Sequence, residues 1–151
     1  HAVGAQGKVL ALDIQPLAVE TTRRRLEDAH VANRADVRVA DHAELTELAA
    51  NWSGKVDCVM LNLGYLPGSD RSLATRPITT GRALHAGLSL LRTGGRLICV
   101  VYTGHAGGPA EGEVVEAFAT SCEEAGHAVL MQGRDEPGPG KPWLLAVTRT
   151  P

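Results

Sequence analysis

Val9-Leu10-Ala11-Leu12-Asp13-Ile14-Gln15-Pro16 joins a short apolar run to an acid and then to a proline. A run of four apolar residues bounded in this way reads as a buried strand. Pro16 suits the first turn of a helix, because its missing N–H would have no intrahelical partner there. From Leu17 to Ala29 the residues Ala18, Leu26 and Ala29 recur near helical spacing, and Arg23, Arg24, Arg25, Glu27 and Asp28 supply polar faces. The unit is strand, acidic tip, helix.

The same order returns along the chain. Val37-Arg38-Val39-Ala40 alternates like a strand, ends at Asp41-His42 and leads into a helical stretch from Ala43 to about Ala50. Val56 to Leu63 is an apolar run broken by Asn62 that enters Gly64-Tyr65-Leu66-Pro67-Gly68. A loop with Arg71 and Arg76 follows, then a helical pattern from about Thr79 to Leu91. Gly94-Gly95 reads as a helix stop and turn, and Leu97 to Tyr102 as a fourth strand. Beyond Gly104-His105-Ala106-Gly107-Gly108-Pro109 the stretch from Glu111 to about Ala125 is helical in pattern. The runs Ala128 to Gln132 and Trp143 to Thr148 are joined by a Pro/Gly loop with no helix, which predicts an antiparallel pair. Alternation of this kind specifies an α/β layered sheet, mostly parallel, with one antiparallel strand near the C-terminus. No internal repeat or long linker divides residues 1–151, so a single domain is expected.

Composition narrows the function classes. The 151 residues suffice for one core, and 44% hydrophobic content argues against disorder. No apolar run nears the roughly 20 residues of a membrane span, so no membrane partner is expected. Fifteen Lys and Arg against 17 Asp and Glu give a net charge of −2, which leaves only a local patch for gripping phosphates. Trp52, Tyr65, Tyr102, Phe118 and Trp143 are too few for an extended base-stacking platform. Cys58, Cys99 and Cys122 are odd in number and lack a CxxC, so neither disulfides nor a metal site is expected, and a cytoplasmic location is. The absence of GxxxxGK[ST], GxGxxG, GxSxG and HExxH turns the reading away from nucleotide hydrolases, dehydrogenases, serine hydrolases and zinc peptidases.

In open α/β sheets ligands bind outside the carboxyl ends of the strands. Asp13 there can accept two hydrogen bonds from ribose hydroxyls, or it can simply cap the following helix. Asp41-His42 at the neighbouring tip can meet the base of the same nucleoside, or form a helix cap beside an exposed His. Asn62-Leu63-Gly64-Tyr65 offers a side-chain oxygen and a backbone carbonyl to an amine, with Tyr65 against a flat base and Gly64 permitting close approach. Its plainer reading is a strand-to-turn exit. Tyr102-Thr103-Gly104-His105 places an imidazole that can orient a substrate or take a proton, or else a flexible glycine-rich connection with an incidental His.

Taken in order, Val9 to Gln15, Asn62 to Asp70, Thr75-Arg76-Pro77 and Val101 to Gly108 resemble the bacterial class I S-adenosylmethionine-dependent methyltransferases of the rRNA-methylase-like family, which includes a tRNA wobble-uridine methyltransferase. The likeness extends to Trp143-Leu144-Leu145-Ala146. The resemblance implies a Rossmann-like sheet and S-adenosyl-L-methionine as cofactor, with Asp13 on its ribose, Gln15 beside it, and Asp41 and His42 along its adenosine. It places Asn62, Tyr65, Tyr102 and His105 at the substrate. It implies transfer of a methyl group to the amine of 5-aminomethyl-2-thiouridine in tRNA, with basic contacts from a loop carrying Arg71, Arg76 and Arg82, and it allows a homodimer. In that family a first strand, a glycine-rich turn and a helix come before the segment equivalent to Val9. His1 to Gly7 then reads as the last turn of that helix, and the chain as N-terminally incomplete. The rival expectations are methylation of rRNA or of a small-molecule amine, and a non-catalytic binding module.

Overall fold

The computed structural model describes residues 3–64, 75–105, 107–134 and 141–151. The chain divides into two compact units, His1–His42 and Ala43–Pro151.

In the first unit β1 (Val9–Asp13) is followed by α1 (Pro16–Asp28) and β2 (Ala35–Val39). The strands pair in parallel from Val9 opposite Ala35 to Asp13 opposite Val39. As expected, Pro16 opens the helix, and Val19 is its fully buried residue. Arg23 reaches from α1 to donate to the Val37 carbonyl, tying helix to strand.

The second unit is built on a four-stranded sheet. Its strands are β3 (Val56–Asn62), β4 (Leu91–Val101), β5 (Ala128–Gln132) and β6 (Trp143–Thr148), in the spatial order β3-β4-β6-β5. β3 and β4 are parallel, whereas β6 runs antiparallel to both of its neighbours. The reversed strand near the C-terminus is therefore β6, and its pairing with β5 is the one the Pro/Gly loop predicts. Two helices complete the unit, α3 (Pro77–Leu90) and α4 (Gly108–Glu124). Period-two burial of Leu97, Cys99 and Val101 on β4 and of Trp143, Leu145 and Val147 on β6 forms one apolar face, and Leu84, Val115 and Phe118 from the helices share its core. The helices approach closely where they lack side chains: a Cβ on Gly81 would sit 3.3 Å from Val114.

Two expectations need correction. The helix expected from Ala43 to Ala50 is only α2 (Leu45–Leu48), with 3-10 turns at His42–Glu44 and Ala50–Trp52. A helix this short forms too few i→i+4 bonds to offset its nucleation, and its ends tighten. Gly94-Gly95 is not a turn ahead of the fourth strand but lies inside β4, which begins directly after α3. There the register against β3 jumps from Val56 opposite Leu91 to Cys58 opposite Arg96. Gly94 takes φ +77°, and a Cβ on Gly95 would lie 2.9 Å from the carbonyls of both Arg92 and Val56, so the glycines serve a bulge. The strand β3 lies at one end of the four-stranded sheet. Among the described residues it pairs only with β4, and Cys58 and Met60 are exposed.

Candidate active site

The parallel pairing of β3 and β4 brings their exits together. Asn62 stands opposite Val100, and the Leu63 N–H donates to the Val100 carbonyl at 2.9 Å. Gly64 takes φ +118°, a conformation suited to glycine, and a Cβ there would lie 3.7 Å from the Cβ of Tyr102. Asn62, Gly64 and Tyr102 thus share one end of the sheet, and the Asn62 and Tyr102 side chains are both exposed. Gly64 and Thr75 clasp each other: the Gly64 N–H donates to Thr75 Oγ1 at 2.8 Å, and the Thr75 N–H donates to the Gly64 carbonyl at 2.9 Å. Tyr65 and Arg71 lie outside the described residues.

His105 lies between β4 and α4. Gly107, at φ +87°, caps the helix. A Cβ on Gly108 would come within 2.8 Å of the Thr103 backbone, so the connection packs tightly on the helix start. The His105 side chain is 8% exposed, and its Nε2 is 3.8 Å from Oε2 of Glu111, whose own side chain is 1% exposed. Thr75 Oγ1 donates to Glu111 Oε2 at 2.8 Å, and Thr80 Oγ1 donates to Oε1. One buried carboxylate therefore joins the exit of β3, the start of α3 and the loop after β4. On β4 nearby, burial pushes the Cys99 thiol up to about 12, with the Glu111 charge adding to the shift.

In the first unit Asp13 is the last residue of β1. Its Oδ1 accepts the Gln15 N–H at 2.8 Å, which fixes the carboxylate at the strand tip, and its backbone carbonyl accepts the Ala40 N–H. Gln15 is 8% exposed and is the N-cap residue of α1, without a side-chain capping bond. Asp41 and His42 follow β2, with His42 Nε2 4.0 Å from Asp41 Oδ1. A half-buried carboxylate held by a backbone N–H, at the exit of one of two parallel strands, has the chemistry to receive a ribose diol. The residues present fit that part of a nucleoside cofactor.

Arg76 is exposed immediately before α3, whereas Arg82 lies within α3 and not on a loop. Arg82 lines a groove of about 460 Å³ with Thr46, Glu47 and His85, so an acid shares its surroundings. Among the described residues no group of three His, Cys, Asp or Glu could hold a metal, and no helix is long and apolar enough to cross a membrane.

Sequence reasoning missed Glu111, and missed Thr75 and Thr80 as its partners. A signal was present. Glu111 occupies the same helical stripe as Val115, Phe118 and Cys122, all buried, so an acid stands where the pattern calls for an apolar residue.

A mostly parallel sheet with a reversed strand at its C-terminal side, and polar residues gathered at strand exits, is the Rossmann-like architecture of the class I methyltransferases. The sequence model described as "Putative rRNA methylase" matches residues 9–146, and the chain belongs to that family. It is 40% identical over 122 residues to the chloroplastic tRNA (mnm(5)s(2)U34)-methyltransferase of Arabidopsis thaliana. The match takes in 79% of this chain but 44% of that relative, so the chain spans less than half its length. Among solved structures, a putative rRNA-methylase from Clostridium thermocellum superposes with a TM-score of 0.86 at 32% identity, covering 96% of this chain and 76% of the other. A putative methyltransferase from Streptococcus mutans in complex with SAH gives 0.79 at 27% identity, covering 93% and 75%.

Proposed function

We propose that this chain carries the catalytic fold of an S-adenosyl-L-methionine-dependent methyltransferase whose acceptor is the amine of a tRNA wobble uridine, 5-aminomethyl-2-thiouridine. The observation that carries the reading is the gathering of Asn62, Gly64 and Tyr102 at the joint exit of β3 and β4. Family membership and the tRNA methyltransferase named among its relatives support it. The SAH complex of the Streptococcus mutans neighbour supports the cofactor.

When bound, the cofactor supplies an electrophilic methyl group on a sulfonium sulfur. Asp13 accepts hydrogen bonds from its ribose, with Gln15 buried beside that carboxylate, and Asp41 and His42 border the adenosine. Asn62 Oδ1 and the Leu63 carbonyl accept N–H bonds from the substrate amine and orient its lone pair. Tyr65 packs on the uracil. An aminomethyl group is largely protonated at neutral pH, so Tyr102 or His105 must help to remove a proton before the nitrogen can attack. Orientation of a neutral nucleophile is the main service such a reaction needs. Arg71, Arg76 and Arg82 contribute the local positive charge for the RNA.

The test is methyl transfer from labelled S-adenosylmethionine to tRNA carrying the aminomethyl base, compared with rRNA and a free small amine. Transfer to that tRNA, lost in Asn62→Ala, is expected. Wild-type kcat in a His105→Ala/Tyr102→Phe double variant would overturn the residue assignment, and turnover only on rRNA or the free amine would overturn the substrate. Binding of tRNA should weaken less steeply with salt in an Arg71→Ala/Arg76→Ala variant than in wild type.

A further inference from the structure

The Leu63–Gly64 peptide lies just past the point where β3 and β4 stop pairing. Their register ends with Asn62 opposite Val100, and the Leu63 N–H still reaches the Val100 carbonyl at 2.9 Å. Beyond that bond the backbone preferences of glycine do not choose an orientation. Gly64 sits at φ +118°, and turning the peptide over would carry φ to about −60°, which glycine adopts as readily. The choice has a consequence, because in a trans peptide the Leu63 carbonyl points opposite to the Gly64 N–H. Whatever holds that N–H therefore aims the Leu63 carbonyl, the backbone acceptor offered to the substrate amine.

Thr75 holds it. The Gly64 N–H donates to Thr75 Oγ1 at 2.8 Å, and an amide N–H can only donate, so the single hydroxyl proton of Thr75 is left for another acceptor. Oε2 of Glu111 takes it at 2.8 Å. The polarity runs one way, from backbone amide through hydroxyl to carboxylate, and bonds in such a chain strengthen one another. Glu111 is buried, Thr80 Oγ1 donates to its other oxygen, and Val115, Phe118 and Cys122 on the same helical stripe are buried and apolar. Apolar residues of similar size are often at least as stabilising as a buried carboxylate, so packing alone gives no reason for an acid here. Orienting the hydroxyl beside Gly64 does.

We infer that Glu111 is a positioning residue for the strand exit: by fixing the Thr75 hydroxyl it selects one of two orientations of the Leu63–Gly64 peptide, and with it the direction in which the Leu63 carbonyl is presented. This rests on the amine-methylation reading above, in which that carbonyl and Asn62 Oδ1 orient the acceptor nitrogen. Glu111 acts through Thr75 and not on a reactant. The return bond of the clasp, from the Thr75 N–H to the Gly64 carbonyl at 2.9 Å, keeps Thr75 in place to receive the Gly64 N–H. Thr75 and Glu111 are 36 residues apart in sequence, so the link exists only in the folded chain.

The test is amide hydrogen exchange followed by NMR on this chain, in wild type, Thr75→Ser, Thr75→Val and Glu111→Met, with Gly64 compared with Leu63. Both amides should be protected in wild type and in Thr75→Ser, which keeps the hydroxyl. In Thr75→Val and Glu111→Met, Gly64 should exchange about tenfold faster while Leu63, held by Val100, stays within about twofold, since general loosening would accelerate both. An unprotected Gly64 in wild type, unchanged Gly64 exchange in Glu111→Met, or equal acceleration of both amides overturns the inference; Glu111→Ala answers the same question if Glu111→Met does not fold. On tRNA carrying the aminomethyl base, Glu111→Met should lower kcat about tenfold with KM for S-adenosylmethionine within about twofold, and adding Thr75→Val should cost little more, because the two residues act in series. Wild-type kcat in Glu111→Met also overturns it. The expected exchange pattern in a protein whose wild type methylates no amine would leave the positioning role standing and refute the proposed function instead.

Discussion

Thr80→Val removes one hydroxyl and keeps the side-chain shape, at a residue with no solvent exposure whose hydroxyl donates to the buried carboxylate of Glu111. The substitution leaves Thr75 as the one hydroxyl donor to Glu111 among the described residues. A hydrogen bond to a charged group contributes about 1.5–3 kcal/mol, and an acceptor stripped of its donor without access to water forfeits most of that. For a chain of this size each kcal/mol moves the melting temperature by about 2–4 °C, which gives an expected drop of about 3–12 °C. Thr80→Ser is the control, since it keeps the donor and loses only a methyl group, at a cost of about 1 kcal/mol. Thermal melts followed by circular dichroism, with urea titrations to check that the m-value is unchanged, measure both. If Thr80→Val were as stable as wild type, or if Thr80→Ser were the more damaging of the two, the carboxylate would not depend on this hydroxyl and the network argument would fail.

Four further outcomes follow from particular contacts and from burial. Gly108→Ala places a methyl group within 2.8 Å of the Thr103 backbone, so the connection bearing His105 must shift; overpacking of about 1–3 kcal/mol outweighs a helix-propensity gain of about 1 kcal/mol, and calorimetry should show a lower melting temperature. Arg149→Ala frees the carbonyls of Leu88, Ser89 and Leu91 at the C-terminus of α3 and should lower urea stability by about 1–2 kcal/mol, whereas Arg149→Lys should recover part of the loss. In thiol labelling of native protein at pH 8, Cys58 should react first and more slowly than free cysteine, because burial pushes its thiol up, while the buried Cys99 and Cys122 should wait for unfolding. For Cys99, at about 12 when folded, the unfolded thiol ionises first as pH rises. Its contribution to stability is therefore complete below about pH 8.5 and declines between there and pH 12, by up to about 1.4 kcal/mol per unit.

Much of the fold was legible because its signals are local. Pro16 marks the start of α1, and the apolar runs of β1, β3, β5 and β6 end within a residue or so of where the strands do. The strand-exit rule likewise leads to Asp13, Asn62 and Tyr102 without coordinates, because alternation of strand and helix already says which end of each strand is open. Gly94-Gly95 misled for a physical reason. A glycine pair supplies the same φ > 0 freedom to a turn and to a bulge, and only the β3–β4 register, with the Val56 and Arg92 carbonyls pressed against Gly95, separates the two.

The sequence by itself determined the order of elements, the reversed last strand and the set of polar residues at strand exits, since periodicity and punctuation act over a few residues. Only the tertiary structure decided which of those residues work together. Thr75, Thr80, His105 and Glu111 lie on four separate stretches of pattern, none of which specifies the others. Packing of α3 and α4 beneath the exits of β3 and β4 brings two hydroxyls and an imidazole onto one carboxylate removed from water. Exclusion of water is what makes that carboxylate depend on its two hydroxyl donors, and burial is a property of the assembled chain that no short segment carries.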